Sequence, residues 1–77
     1  MPFRDLVGRH ALREAQREGI TLREMEDTYT DPDETRASAH DGSREIRTRW
    51  FGAEAIEVVV DTIDGRVVTT WRKQHTR

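Results

Sequence analysis

Hydrophobic and polar positions follow a helical period in the first third of the chain and a strand-like alternation after residue 35. Residues 9–18, RHALREAQRE, are rich in helix formers and contain no β-branched residue, and Gly19 follows them as a C-cap signal. Thr21 and Glu24 have the spacing of a capping box, which predicts a second short helix. The Asp31-Pro32 pair must close this helix. The pattern therefore predicts an αα-hairpin.

The start of the first helix has two interpretations. Asp5 is suited to cap a helix that includes Leu6 and Val7, and this interpretation is favoured. Alternatively, residues 3–7 form a short edge strand before Gly8.

From Thr35 onward, turn signals separate β-prone segments. Asp41-Gly42 and Asp64-Gly65 are dipeptides typical of two-residue type I′ hairpin turns, and the segment FGAEA supplies the middle connection. Strands are predicted near residues 35–40, 43–51, 55–63 and 66–73. The 77 residues are thus predicted to form one α+β domain, with two N-terminal helices packed on one face of a four-stranded antiparallel sheet.

Loop lengths predict which side chains share a face of this sheet. A two-residue loop at Asp64-Gly65 pairs Val58 with Trp71. A three-residue loop at residues 52–54 pairs Trp50 with Ile56. The face under the helices is then expected to hold Ile46, Trp50, Ile56, Val58, Val60, Val67 and Trp71. The opposite face is expected to hold Val59, Thr70 and a carboxylate with four arginines: Glu57, Arg36, Arg47, Arg49 and Arg72.

Composition excludes several classes of site. The chain has no cysteine, so disulfides and thiolate metal sites are excluded. No two histidines have metal-ligand spacing on one element, so no metal site is expected, and no Gly-rich phosphate loop or nucleophile elbow is present. Charges recur every few positions in the first twenty residues, which excludes a signal peptide or membrane span there. A soluble, cytoplasmic protein is expected.

The hydrophobic fraction of 34% is low and the charged fraction of 36% is high, which predicts a thin core. Association buries surface that a small monomer leaves exposed, so a homodimer is a further expectation.

The arginine-rich face has two interpretations. In the first, it is a solvated face on which Glu57 bridges Arg49 and Arg72. In the second, it binds phosphates of a nucleic acid, and Lys73 near the C-terminus adds to it. His10, in the first helix, is likewise either a packing or capping residue or a proton-transfer group.

One resemblance spans most of the chain. The spacing of His10-Ala11, Arg17, Gly19-Ile20 and a short acidic helix ending at Asp31-Pro32 resembles small bacterial domains of unknown function related to RelE/ParE- and BrnT-like toxins. The later segment EVVVDTIDGRVVTTW is similar to their last two strands. The resemblance implies a RelE-like fold without a cofactor, action on RNA or translation, and an antitoxin partner.

For a metal-free ribonuclease, the resemblance also implies basic residues and an acid–base group on the sheet face away from the helices. The candidate catalytic residues are His10, Arg49 and Arg72. The candidate nucleic-acid-binding residues are Arg36, Arg47, Arg49, Arg72 and Lys73. The alternative function is a non-enzymatic protein-interaction module, and the sequence leaves open whether the protein is an enzyme.

Overall fold

A computed structural model describes residues 2–74 and has two α-helices followed by a four-stranded antiparallel sheet, which confirms the α+β prediction. After a 3₁₀-helix at Phe3–Leu6, the helices are α1, Arg9–Glu18, and α2, Leu22–Thr30. The strands are β1, Glu34–Ala37; β2, Arg44–Phe51; β3, Glu54–Asp61; and β4, Val67–Gln74. Their order in the sheet is β1-β2-β3-β4, so each strand pairs with its neighbour in sequence.

The helix ends that the sequence signals predict are confirmed. Gly19 caps α1 in the left-handed conformation, with φ of 70°, where a side chain would be strained. Thr21 Oγ1 accepts a hydrogen bond from the Glu24 N–H, and Glu24 Oε1 accepts one from the Thr21 N–H, which completes the capping box. The second helix ends at Thr30, immediately before Asp31-Pro32.

The start of α1 differs from the favoured prediction, because Leu6 and Val7 are outside the helix. Val7 instead forms an isolated parallel bridge with Val67. The N–H of Gly8 donates to the Val67 carbonyl at 3.1 Å, and a Cβ on Gly8 would lie 3.3 Å from that oxygen. The chain therefore passes along the start of β4 before the helix begins.

Both helices cover the same face of the sheet: α1 packs on β4, and α2 packs on β3 and β2. Ala11 and Ala15 are buried positions of α1, where their small side chains let the helix approach the sheet closely. The core consists of Val7, Ala11, Ala15, Ile20, Met25, Ile56, Val58, Val60 and Val67. Phe3, Leu12, Tyr29 and Phe51 pack against it. The predicted burial of Ile56, Val58, Val60 and Val67 is thus confirmed.

The loop between β2 and β3 is one residue shorter than predicted. Phe51 pairs with Glu54, so the loop is Gly52-Ala53. Gly52 has φ of 74°, and a glycine at the first central position is typical of a type II′ turn. Because a one-residue slip moves every side chain of a strand to the other face, Ile46 and Trp50 lie away from the helices.

The loop between β3 and β4 is also different from the predicted type I′ turn. The Asp61 N–H donates to the Arg66 carbonyl at 2.8 Å, which leaves four residues in the loop. Gly65 is its one residue with positive φ, whereas a type I′ turn needs two. The Asp41-Gly42 turn is likewise part of a longer connection, in which the Asp41 carboxylate accepts from the Ser43 N–H.

A register shift in the last hairpin changes the faces of β4. Val60 pairs with Val67, but Val59 pairs with Thr69, so the register moves by one residue between these two pairs. Beyond the shift, Trp71 lies opposite Glu57, on the face away from the helices. Its neighbour Arg72 lies on the helix-covered face, together with Thr70.

Candidate functional site

Three of the four arginines predicted for the face away from the helices lie on the helix-covered face. The register pairs Arg47 with Val58, a core residue, and pairs both Arg49 and Arg72 with Ile56, another core residue. The prediction of a four-arginine surface is therefore wrong for Arg47, Arg49 and Arg72, and the reason is the one-residue difference in both hairpins.

Arg72 binds the C-terminal end of α1. Its Nε donates to the Glu18 carbonyl at 3.1 Å and its Nη2 donates to the Gly19 carbonyl at 2.9 Å. The carbonyls at a helix C-terminus lack intrahelical partners and carry partial negative charge, so a guanidinium there stabilises the helix. Arg72 thus joins α1 to the edge of the sheet.

Arg47 and Arg49 bind the end of α2 in the same way. Arg47 Nη1 donates to the Tyr29 carbonyl at 2.7 Å, and the Arg47 guanidinium carbon lies 4.6 Å from the centroid of the Tyr29 ring. Arg49 Nη1 donates to the Asp31 carbonyl at 2.7 Å and to Asp31 Oδ2 at 2.9 Å. Both arginines are therefore engaged within the fold.

We call the side of the sheet away from the helices the open face. Alternating strand positions supply its side chains: Glu34, Arg36, Ile46, Thr48, Trp50, Ala55, Glu57, Val59, Thr69, Trp71 and Lys73. Of the predicted nucleic-acid-binding residues, only Arg36 and Lys73 lie here. Both are exposed.

A buried carboxylate, Glu57, lies at the centre of the open face, and the residue is only 2% exposed. Its Oε2 accepts hydrogen bonds from Arg36 Nη1, at 2.9 Å, and from Thr48 Oγ1. Its Oε1 accepts from the indole Nε1 of Trp71 at 2.8 Å. The predicted bridge from Glu57 to Arg49 and Arg72 is therefore wrong, because both arginines are on the other face.

Burial acts to raise the pKa of Glu57, but hydrogen bonds from Arg36, Thr48 and Trp71, with the Arg36 charge, outweigh it. The pKa of Glu57 consequently lies below its ordinary value. Glu57 is a stable anion at neutral pH, and its role is to accept hydrogen bonds from these donors.

Aromatic and apolar side chains surround this carboxylate on the open face. Trp71, Trp50 and Ile46 are each partly exposed. The backbone N–H of Trp50 donates to Asp33 Oδ2 at 2.8 Å, which fixes the strand next to the residue before β1. The open face thus combines two tryptophans with an arginine held by a buried acid.

One sequence signal pointed to this arrangement. Glu57 is the single charged residue in the otherwise apolar run AIEVVV, and a charge in the middle of a buried strand is expected to be paired. The donor Trp71 was missed, because the sequence-based register assigned it to the core.

His10 is exposed in the first turn of α1, and no hydrogen bond or ion pair links its side chain to another described residue. It lies on a helix that covers the opposite side of the sheet from Glu57. The structure therefore does not bring the candidate His10 together with Arg36 or Lys73 on the open face. His75 lies outside the described residues.

Within residues 2–74, no group of three His, Cys, Asp or Glu side chains has an arrangement that would hold a metal ion. No helix of that part of the chain has the length and apolar character needed to cross a bilayer.

Comparison with known proteins gives no relative. The sequence matches no family model and no curated protein, and the fold matches no solved structure.

Proposed function

We propose that this domain is a non-enzymatic protein-interaction module whose open face is the contact surface. The observation that carries the proposal is the buried Glu57, which accepts hydrogen bonds from Arg36 and Trp71. Burying a carboxylate costs free energy, and an apolar residue would fill the same position more cheaply. Tryptophan and arginine are enriched among the residues that dominate protein–protein binding energy.

Preorganisation supports the same function. A side chain already held in one conformation loses less entropy when a partner binds it. The Arg36 side chain keeps 48% of its surface exposed while it contacts Glu57. Trp71 is partly exposed while its indole N–H is bound. Hydrogen bonds to Glu57 therefore orient both side chains, while part of each side chain remains accessible to a partner.

Catalysis has less support than binding. Metal-free RNA cleavage needs an acid–base group and cations that converge on the reacting phosphate. On the open face the central carboxylate has a lowered pKa and three donors. His10 lies across the sheet, and the other candidate catalytic residues, Arg49 and Arg72, bind helix ends.

RNA binding by a toxin-like domain is a second candidate, and one observation favours it. Arg9 and Arg13 are exposed one turn apart on α1, and no hydrogen bond or ion pair links either side chain to another described residue. His10 and Arg17 are also exposed on this helix. Any contact with a nucleic-acid backbone would then use α1 in place of the sheet.

The two functions are separated by photo-crosslinking in the organism that encodes the chain. A crosslinking residue is placed at Lys73 on the open face or, as a matched control, at Gln16 on α1, since both positions are exposed. We expect a protein adduct of defined mass from position 73, lost in Trp71→Ala, and none from position 16. RNA adducts from position 16, together with growth arrest that survives Trp71→Ala, would overturn the interaction-module proposal.

A further inference from the structure

The two edges of the sheet are protected to different degrees. At the β4 edge, Val7 bridges to Val67 and the Gly8 N–H donates to the Val67 carbonyl. Further along, Glu18 Oε1 accepts a hydrogen bond from the backbone N–H of Arg72 at 3.0 Å. The N-terminal segment and α1 therefore cover two parts of this edge.

Within residues 2–74, no segment covers the β1 edge in a comparable way. All four of its residues are exposed. The Ser38 N–H donates to the Arg44 carbonyl at 2.9 Å, which identifies Ser38 and Arg44 as a hydrogen-bonded pair. Since such pairs alternate along an antiparallel ladder, Thr35 and Ala37 direct their N–H and C=O groups away from β2. An edge of this kind is a template for another strand.

We propose that β1 pairs with β1 of a second copy of this chain, antiparallel about a two-fold axis through Thr35, to form one eight-stranded sheet. Thr35 then exchanges two backbone hydrogen bonds with Thr35 of the second copy, because its N–H and C=O both point outward. The contact is isologous, so a single strand suffices for both halves of the interface.

Charge favours a second copy as the occupant and selects this axis. Antiparallel pairing about Thr35 places Glu34 opposite Arg36 of the second copy, and places Arg36 opposite Glu34. An axis through Arg36 would instead place two arginines opposite each other, which is unfavourable. The alternation Glu-Thr-Arg is thus complementary to itself.

Dimer formation would also join two open faces side by side. Glu34 and Arg36 project onto that face, so each copy would contribute its Trp71 and Arg36 to one continuous surface. The dimer does not depend on the proposed function, because it uses backbone groups of β1 and the pairs of Glu34 with Arg36, and not the tryptophans.

Single cysteines test the axis directly, since the natural chain has none. In Thr35→Cys the two thiols belong to a directly opposed pair, with Cα atoms about 5.5 Å apart, within disulfide range. In the matched control Ala37→Cys, the two introduced cysteines are offset by four residues, about 13 Å along the strand. This separation is too large for a disulfide. Mild oxidation followed by a non-reducing gel should give a covalent dimer for Thr35→Cys alone. Equal crosslinking of both variants, or of neither, would overturn the proposal.

Charge reversal provides a test that leaves the backbone unchanged. Glu34→Lys places a lysine opposite Arg36 of the second copy at two sites, and should weaken dimerisation by about tenfold or more. Glu26→Lys makes the same charge change at an exposed position of α2 and should leave the dimer constant unaltered. Sedimentation equilibrium measures both. A natural chain that sediments as a monomer throughout the micromolar range, or equal weakening by the two variants, would contradict the pairing.

Discussion

The two faces of the sheet use the same residue types for different purposes. On the helix-covered face, Arg47, Arg49 and Arg72 donate to backbone carbonyls at the ends of α1 and α2. On the open face, the buried Glu57 collects hydrogen bonds from Arg36 and other donors. On the helix-covered face, arginine therefore stabilises helix termini. On the open face, a partly exposed arginine is held by its hydrogen bond to the buried Glu57. The strand register alone decides which role a given arginine has.

The largest expected effect is on the helix-covered face. Val58 is fully buried in the core, so Val58→Asp places an unpaired charge there and should lower the free energy of unfolding by about 4 kcal/mol or more. Chemical denaturation followed by circular dichroism measures this loss. The matched control is Ile63→Asp at a loop position that is 83% exposed, where stability should hardly change. An unaltered denaturation midpoint for Val58→Asp would place Val58 outside the core.

Glu57→Gln tests the open face. The substitution removes the charge that Arg36 contacts and weakens the acceptor for Thr48 and Trp71. We expect a loss of about 1–3 kcal/mol in the free energy of unfolding, because hydrogen bonds to a charged group contribute more than neutral ones. Urea denaturation at neutral pH measures it. A variant as stable as the natural chain would mean that the carboxylate contributes no net stability.

Acid should remove the same contribution. The folded-state pKa of Glu57 is lowered, so its stabilisation is complete above the unfolded pKa, near 4.5, and is lost as the pH falls through the folded value. As the pH is lowered below about 4.5, the denaturation midpoint of the natural chain should therefore decrease more steeply than that of Glu57→Gln. Parallel pH profiles for the two proteins would contradict this assignment.

Arg72→Ala should have a smaller effect than loss of the buried acid. It removes two hydrogen bonds to the carbonyls of Glu18 and Gly19, together with a favourable charge at the end of α1. About 1–2 kcal/mol of unfolding free energy should be lost. Arg72→Lys should recover only part of it, because an ammonium group lacks the fork geometry that reaches both carbonyls. Full recovery by lysine would show that charge alone matters.

The smallest effect is expected on the outer face of α1. Arg9→Ala and Arg13→Ala remove side chains without described partners, so stability should change by less than about 0.5 kcal/mol. If RNA binding is detected, the double variant should lower the salt slope of log K by about two. Unchanged RNA binding would exclude α1 as the contact surface.

The sequence predicts the helical part of the fold better than the sheet, because helix boundaries depend on local signals. Gly19 and the Thr21 capping box each act within one helical turn. Gly19 ends α1, and the capping box begins α2, at the predicted positions. The hairpins depend on loop length. An Asp-Gly pair is compatible with a two-residue loop, but at Asp64-Gly65 the hydrogen bonds close a four-residue loop and leave Ile63 exposed.

The sequence predicts only part of the site, because the face on which each strand side chain lies depends on the same loop lengths. The predicted register assigns Arg36 and Glu57 to the correct face. It assigns Trp71 and Arg72 each to the face on which the other lies. The glycine of Gly52-Ala53 was a readable signal for a two-residue type II′ turn. The sequence does not predict the register shift near Val59. The opposing residues 67–70, VVTT, are all β-prone and fit a strand in either register.

The most direct test is the pairing of β3 with β4, measured by NMR contacts between α-protons. Arg72 directs its N–H away from β3, so Ile56–Arg72 and Val58–Thr70 are non-hydrogen-bonded pairs, with Cα atoms about 4.5 Å apart. Strong contacts between the α-protons of these two pairs are the expected result. Strong contacts between Glu57 and Arg72 or between Val58 and Trp71 would contradict the division of the two faces.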